Sequence, residues 1–209
     1  RWLSFFSKYG HGRLGREAQL GLFGELLVLK LVLLPCIPAE IALSAWRGYK
    51  KADQDYQLPA CALEVKTTSA EVPDRIHISN VGQLDAEDIS RMFLAIVHVA
   101  ANETTGDTLP GIIDSLRKLL SDEAQGYLNN GLAEVGYSDL HSKDYIKTRY
   151  RQLSIHHYEV RKGFPRLYRD QIPDGVKSVK YQLSFDACSD FKVDQSEVQN
   201  AMGQAAIDG

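Results

Sequence analysis

Two short runs near the first quarter of the chain alternate apolar and polar residues with period two. In Asp53-Gln54-Asp55-Tyr56-Gln57-Leu58, the acids and Gln57 share one face, and Tyr56 and Leu58 the other. In Ala62-Leu63-Glu64-Val65-Lys66-Thr67-Thr68, Glu64, Lys66 and Thr68 share a face opposite Leu63 and Val65. Successive strand side chains point to opposite faces, so this spacing predicts two strands. The turn residues Pro59-Ala60 between them predict an antiparallel hairpin.

The remaining pattern alternates helical and strand periods. Gly15 to Leu34 is the most hydrophobic segment and reads as a buried helix, closed by Pro35 and Pro38. Its charges and its length argue against a membrane span, and its layout is not that of a signal peptide. Gly21 and Gly24 each cost about 1 kcal/mol in a helix interior, so close approach of another backbone is expected there. Ala39 to Gly48 reads as a first core strand ending near Trp46, followed by Arg47, Lys50 and Lys51 as phosphate contacts or a solvated turn. Arg75 to Ser79 alternates and reads as a strand, Val81 to Arg91 as helical, and Met92 to Ala101 as a strand buried on both faces. Leu109 to Leu120 and Ser121 to Val135 read as two helices, with Asn129-Asn130-Gly131 a candidate break in the second. Alternating runs at Tyr150 to Val160 and Val176 to Asp186 predict two more strands, and Asp190 to Gly209 a short amphipathic tail that frays. The expected class is α/β: a mixed central β-sheet flanked by helices, with a C-terminal α+β extension.

Composition adds little to that picture. The chain has 209 residues, enough for one sizeable core, and a net charge of −3, so any nucleic-acid surface has to come from local clustering. Cys36, Cys61 and Cys188 are odd in number and widely spaced, which fits reduced cytoplasmic thiols better than disulfides or a zinc site. A chain opening at Arg1 is expected to be part of a longer protein. From Lys143 to Arg169, eight bases (Lys143, Lys147, Arg149, Arg151, Arg161, Lys162, Arg166, Arg169) face two acids, Asp144 and Glu159. Tyr145, Tyr150, Tyr158, Phe164 and Tyr168 are interleaved with them. This is a candidate DNA-facing surface, with a solvated edge over ordinary core tyrosines as the equal alternative.

Other motifs carry less. His156 and His157 are adjacent and point to opposite faces of a strand, so they cannot chelate one ion together. Gly10-His11-Gly12-Arg13-Leu14-Gly15 lacks the Lys-Ser/Thr ending of a phosphate loop. No Gly-x-Ser-x-Gly elbow, HExxH helix or paired-cysteine motif is present.

The hairpin carries the chemistry. Its convergent carboxylates beside a lysine, backed by apolar residues, form a site for a divalent metal and a polarised water. Glu25 lies on an apolar helix face between Gly21, Leu22, Val28 and Leu29, where an unpaired carboxylate is costly. A buried ion pair with Lys66 or an arginine is one reading of it, and a place in the site is the other.

Asp55 followed by Glu64-Val65-Lys66 resembles the PD-(D/E)xK nuclease superfamily. Gly21-Leu22-Phe23-Gly24-Glu25-Leu26-Leu27 upstream and His77-Ile78-Ser79-Asn80-Val81-Gly82-Gln83-Leu84 downstream are similar to flanking motifs of a branch associated with bacterial restriction and phage defence. The resemblance is best over Leu14 to Val99, and Gln54 stands where the superfamily name has Pro. It implies a restriction-endonuclease-like nuclease core over 1–105, with 106–209 an extension completing the same domain. It implies a magnesium-dependent endodeoxyribonuclease, with manganese as a substitute. Asp55 and Glu64 would hold the metal, with Asp53 a rival for the role of Asp55 and the Val65 carbonyl a further ligand. Lys66 would act on the attacking water and the phosphate, Glu25 would complete the shell, and Gln83 would steer Lys66 or the water. DNA is the implied partner. A homodimer and methyltransferase or helicase partners follow from family context, and no membrane is involved. Two rival expectations are a non-cleaving DNA-binding or assembly module of a defence complex and a purely structural ion-pair core.

Overall fold

A computed structural model describes residues 13–48, 53–85 and 89–208. The first helix, α1 (Arg16–Val28), runs on through a π-helical turn at Leu29–Leu33. It is apolar almost all round, and Leu22, Phe23, Leu26, Val28, Leu29, Val32 and Leu33 are buried, as expected for a helix inside a core rather than on its surface.

Ala39 to Gly48 departs from the expected strand. Ala39–Ala45 is a helix, α2, opened by Pro38, and Trp46 makes only an isolated bridge to Tyr56. Proline has φ set for a helix start, and Ala42, Leu43 and Ala45 bury one helical face. Lys50 and Lys51 lie outside the described residues, as do Gly10, His11 and Gly12.

The hairpin forms as expected. Strand β1 (Tyr56–Gln57) pairs antiparallel with β2 (Cys61–Thr68), Tyr56 opposite Leu63. Asp53 and Asp55 precede β1 rather than belonging to it. After β2 come β3 (Arg75–Ile78) and a single 3-10 turn, Val81–Leu84. Among the described residues of the helix expected over Val81 to Arg91, this one turn forms, and Arg91 already opens β4 (Arg91–Asn102). Strand β4 pairs parallel to β2, and its residues from Met92 to Val97 are all buried, the state that a continuous apolar run favours.

A short β5 (Asp107–Thr108) leads to α3 (Leu109–Leu119) and α4 (Asp122–Val135). Thr108 and Ser121 cap these helices by accepting from the amides of Gly111 and Ala124. Asn129-Asn130-Gly131 does not break α4: Leu128 and Leu132 are buried on either side, and that burial outweighs the roughly 1 kcal/mol a helical glycine costs. The helix ends at Gly136, whose φ of 88° is the left-handed conformation glycine adopts without strain.

The short α5 (Ser142–Tyr145) precedes β6 (Arg149–Glu159), which pairs antiparallel with β4 and extends the sheet. The order is β1-β2-β4-β6-β5, with β8 (Lys192–Val193) also on β6. Of the strand expected over Val176 to Asp186, only β7 (Tyr181–Ser184) forms, and it pairs with β3 in a separate two-stranded ribbon. The tail is a packed helix rather than a fraying end: α6 (Gln195–Asp208) buries Val198, Met202 and Ala205. The result is a mixed sheet between helices, consistent with a restriction-endonuclease-like core. One apolar cluster joins α1, α2, α3, α4 and α6 to one side of the sheet, and a second fills the space under the β3–β7 ribbon. Among the described residues, no helix is long and apolar enough to cross a membrane.

Candidate active site

The parallel pairing of β2 on β4 fixes where the chemistry sits. Glu64, Val65 and Lys66 lie in a strand that β4 pairs with along its whole length. A cleft of about 890 Å³ opens at this point, and Glu25, Asp55, Glu64, Val65, Lys66 and Gln83 all line it. Residues from α1, the start of the hairpin, β2 and the turn after β3 are brought to one place.

Each side chain is held. Asp55 Oδ2 accepts from the Val65 amide at 2.8 Å, which ties the start of the hairpin across to β2. Lys66 Nζ contacts Glu64 Oε1 at 2.7 Å and donates to Gln83 Oε1 at 2.9 Å. The same Gln83 oxygen accepts from the Ser79 amide at 2.8 Å. Glu25 Oε2 accepts from Trp46 Nε1 at 2.7 Å, and its backbone carbonyl accepts from Tyr56 Oη at 2.9 Å. Gly48 lies between two of the acids: a Cβ there would stand 2.8 Å from Glu25 Oε2 and 2.9 Å from Asp55 Oδ1.

The cluster is short of positive charge. Burial first, then the neighbouring Asp55, pushes Glu25 up to about 8, against the Trp46 bond and Lys66. Asp55 is pushed up to about 6 by burial, against the Val65 amide and Lys66. Glu64 goes well above the ordinary carboxylate range, by burial and then by Asp55, with Lys66 opposing. Among the described residues, three carboxylates share one lysine, and apart from Lys66 and the adjacent Asp55 carboxyl both buried Glu64 oxygens have no partner. Among the described residues, no group of three or more His, Cys, Asp and Glu side chains is closed enough to hold an ion unaided. An open site of that kind still suits magnesium, which is commonly held by one or two carboxylates with water and substrate phosphate completing the shell. The Glu64 carboxylate, met only by Lys66 and the Asp55 carboxyl among the described residues, and the charge deficit fit such an ion.

Asp53 does not line this cleft. Its Oδ2 pairs with Arg169 Nη2 at 3.0 Å in a neighbouring depression. Gly24 is closely approached, by a side chain rather than the expected backbone, since a Cβ on it would lie 1.8 Å from Thr67 Oγ1. Gly21 is not, for nothing stands within 4 Å of its Cβ position and it faces the cleft.

The basic segment from Lys143 to Arg169 is not one continuous surface. Lys147 pairs with Asp144, Arg149 donates to the Gly106 carbonyl and Arg161 pairs with Glu159. Arg166 donates to the Leu84 carbonyl, and Arg169 bridges Asp53 and Asp85. Tyr145, Tyr150, Tyr158 and Phe164 are buried and cannot stack on nucleobases. The sequence carries no signal for the Arg166 and Arg169 contacts, which join residues more than eighty positions apart. It offered one for Gln54, a polar residue inside the motif. Gln54 is buried, and its Nε2 donates to the Gly82 carbonyl.

A family model described as "Putative PD-(D/E)XK family member, (DUF4420)" matches residues 1–186. The chain belongs to that family. No curated protein and no solved structure matches it. Asp55, Glu64 and Lys66, the residues that fit the family's motif, are among those the fold gathers at the cleft.

Proposed function

We propose that this PD-(D/E)XK family member is a magnesium-dependent endodeoxyribonuclease, acting in restriction or phage defence in the cytoplasm. The observation that carries the reading is the convergence of Asp55, Glu64 and Lys66 in one cleft, with Lys66 held by Gln83. Manganese is the expected substitute. Assembly as a homodimer, or with a methyltransferase or helicase, belongs to the same reading.

Asp55 and Glu64, with the Val65 carbonyl and Glu25, would hold the ion. A divalent cation there supplies a polarised water and a clamp on the phosphoryl oxygens. The Val65 amide fixes one Asp55 oxygen and so orients the carboxylate. The bonds from Glu64 and Gln83 fix the Lys66 ammonium beside the acids. There it orients the attacking water and stabilises the negative charge that grows on the phosphate. Gln83 acts by holding Lys66, and Trp46 by holding Glu25.

The test is cleavage of supercoiled plasmid with magnesium or manganese by the wild-type chain and by Asp55→Ala, Glu64→Ala and Lys66→Ala proteins. Wild-type cleavage that falls about 100-fold or more in each variant is the expected result, the usual scale for removing such a charge-stabilising group. Undiminished cleavage by all three folded variants overturns the reading.

A further inference from the structure

Two groups of elements line the catalytic cleft, and they differ in charge. From α1, β2 and the start of the hairpin come Glu17, Glu25, Asp55 and Glu64, with Lys66 among them. From β3, β7 and their flanks come His77, Ser79, Lys180 and Gln182, and no carboxylate. A polyanion approaching this cleft meets repulsion from the first group, so its backbone has to be received by the second.

The second group is built as a ribbon with two distinct sides. Ile76, Ile78 and Leu183 are buried beneath it, while Arg75, His77, Gln182 and Ser184 are exposed. His77 and Gln182 stand opposite each other in the register, and Gln182 Nε2 lies 3.4 Å from His77 Nδ1. Arg75 is already paired with Asp74 at 2.6 Å. Lys180 is exposed and has no ion pair among the described residues, and the cleft is where it sits. Neither strand belongs to the central sheet. The ribbon's second strand comes from the same C-terminal segment that Arg166 and Arg169 fasten to the turn carrying Gln83.

We propose that the β3–β7 ribbon is the strand-binding wall of the cleft, where Lys180, Gln182 and His77 receive the backbone phosphates of DNA beside the scissile bond. This rests on the nuclease reading and adds the residues that hold its substrate. It also moves the DNA-facing surface away from the basic segment of Lys143 to Arg169, whose charges are largely spent on the chain itself.

The experiment is fluorescence anisotropy with labelled duplex DNA over a salt series in magnesium buffer, in an Asp55→Asn background. Adding Lys180→Ala is expected to raise Kd several-fold and to reduce the slope of log Kd against log salt by about 1, the mark of one lost phosphate contact. Adding Gln182→Ala is expected to raise Kd and leave the slope unchanged, because no charge is lost. Lys118→Ala, on the exposed side of α3, is expected to change neither. Background-level binding by both ribbon variants overturns the proposal, as does a background protein that binds no DNA or prefers RNA. Plasmid cleavage by the wild-type chain is scored separately. Cleavage without a Lys180→Ala effect removes the wall alone. A Lys180→Ala effect without cleavage removes the nuclease reading and leaves a DNA-binding wall.

Discussion

Gln54 Nε2 donates to the carbonyl of Gly82 at 2.6 Å, from the position immediately before Asp55. A second bond from the same nitrogen reaches the Asp85 carbonyl at 3.2 Å. Between these two carbonyls lies the turn that carries Gln83, and Gln83 holds Lys66. Arg169 fastens the outside of the same turn through Asp85 at 2.5 Å and Asp53 at 3.0 Å. A Cβ on Gly82 would stand 2.1 Å from Asp53 Oδ1 and would displace that side chain from Arg169. The residue standing where the superfamily name has proline thus links the segment carrying Asp55 to the lysine's anchor.

Gln54→Ala removes one donor from each of two carbonyls, of which Gly82 keeps the Asp85 amide, and is expected to cost about 0.5 to 1.5 kcal/mol for each bond lost. The lost anchor also frees Gln83, so cleavage is expected to fall further than the fraction of folded protein does. Thermal unfolding and plasmid cleavage well below the midpoint measure the two effects apart. An unchanged midpoint would show that the turn is held by Arg166 and Arg169 alone.

What the sequence made legible was local. The hairpin and β4 were readable because alternation and an apolar run specify a strand without reference to the rest of the chain. Asp55, Glu64 and Lys66 could be picked out for the same reason, spacing within a few residues. Ala39–Ala45 was misread because a short apolar run suits strand and helix equally, and the deciding proline sits outside it. The tyrosines of β6 were ambiguous because exposure is a property of the packed sheet. Arg169 was out of reach: its partners Asp53 and Asp85 are 116 and 84 positions away.

Glu25→Gln separates a metal site from a structural ion-pair core. Near neutral pH, Glu25, pushed up to about 8, already holds its proton in the absence of metal. Glutamine copies that neutral form and can still accept from Trp46 Nε1. Stability in a chelator is therefore expected to change by less than about 1 kcal/mol, the scale of one ordinary hydrogen bond. The rise in stability on adding magnesium is expected to shrink. A structural ion-pair core predicts a loss of about 3 to 5 kcal/mol from breaking the pair, and no response to magnesium. Urea unfolding with chelator and with magnesium decides between them.

The same shifts set the sign of the pH dependence. Glu25 rises from an ordinary 4.5 to about 8, and Asp55 from 3.8 to about 6. Across those intervals the native state binds more protons than the unfolded chain, so stability in chelator falls as pH rises through about 6 and then about 8. His157 has the opposite sign, lowered from 6.5 to about 4 by burial, so its contribution is complete above 6.5 and is lost as pH falls. The interval between 6.5 and about 8 therefore belongs to the raised acids Glu25 and Glu64, which act in the same direction. Magnesium displaces protons from its ligands, so its stabilising effect is expected to grow over that interval. Urea midpoints measured across it, with and without the ion, provide the check. A midpoint in chelator that climbs with pH contradicts the crowding of the three acids.

Gly24→Ala tests how closely α1 lies on β2. In an isolated helix the change would favour folding by about 1 kcal/mol. Here the new Cβ falls 1.8 Å from Thr67 Oγ1 and 2.9 Å from Thr67 Cβ, and overpacking of that kind costs about 1 to 3 kcal/mol. Thr67 follows Lys66 directly, so the strain is delivered to the lysine's strand and cleavage is expected to fall with stability. Thr67→Ala removes the closest atom, a buried oxygen that has no hydrogen-bond partner, and should be mild alone. Combined, the two substitutions are expected to be less harmful than Gly24→Ala alone, a coupling that a double-mutant cycle measures. Strict additivity would place the limiting contact of α1 elsewhere on β2.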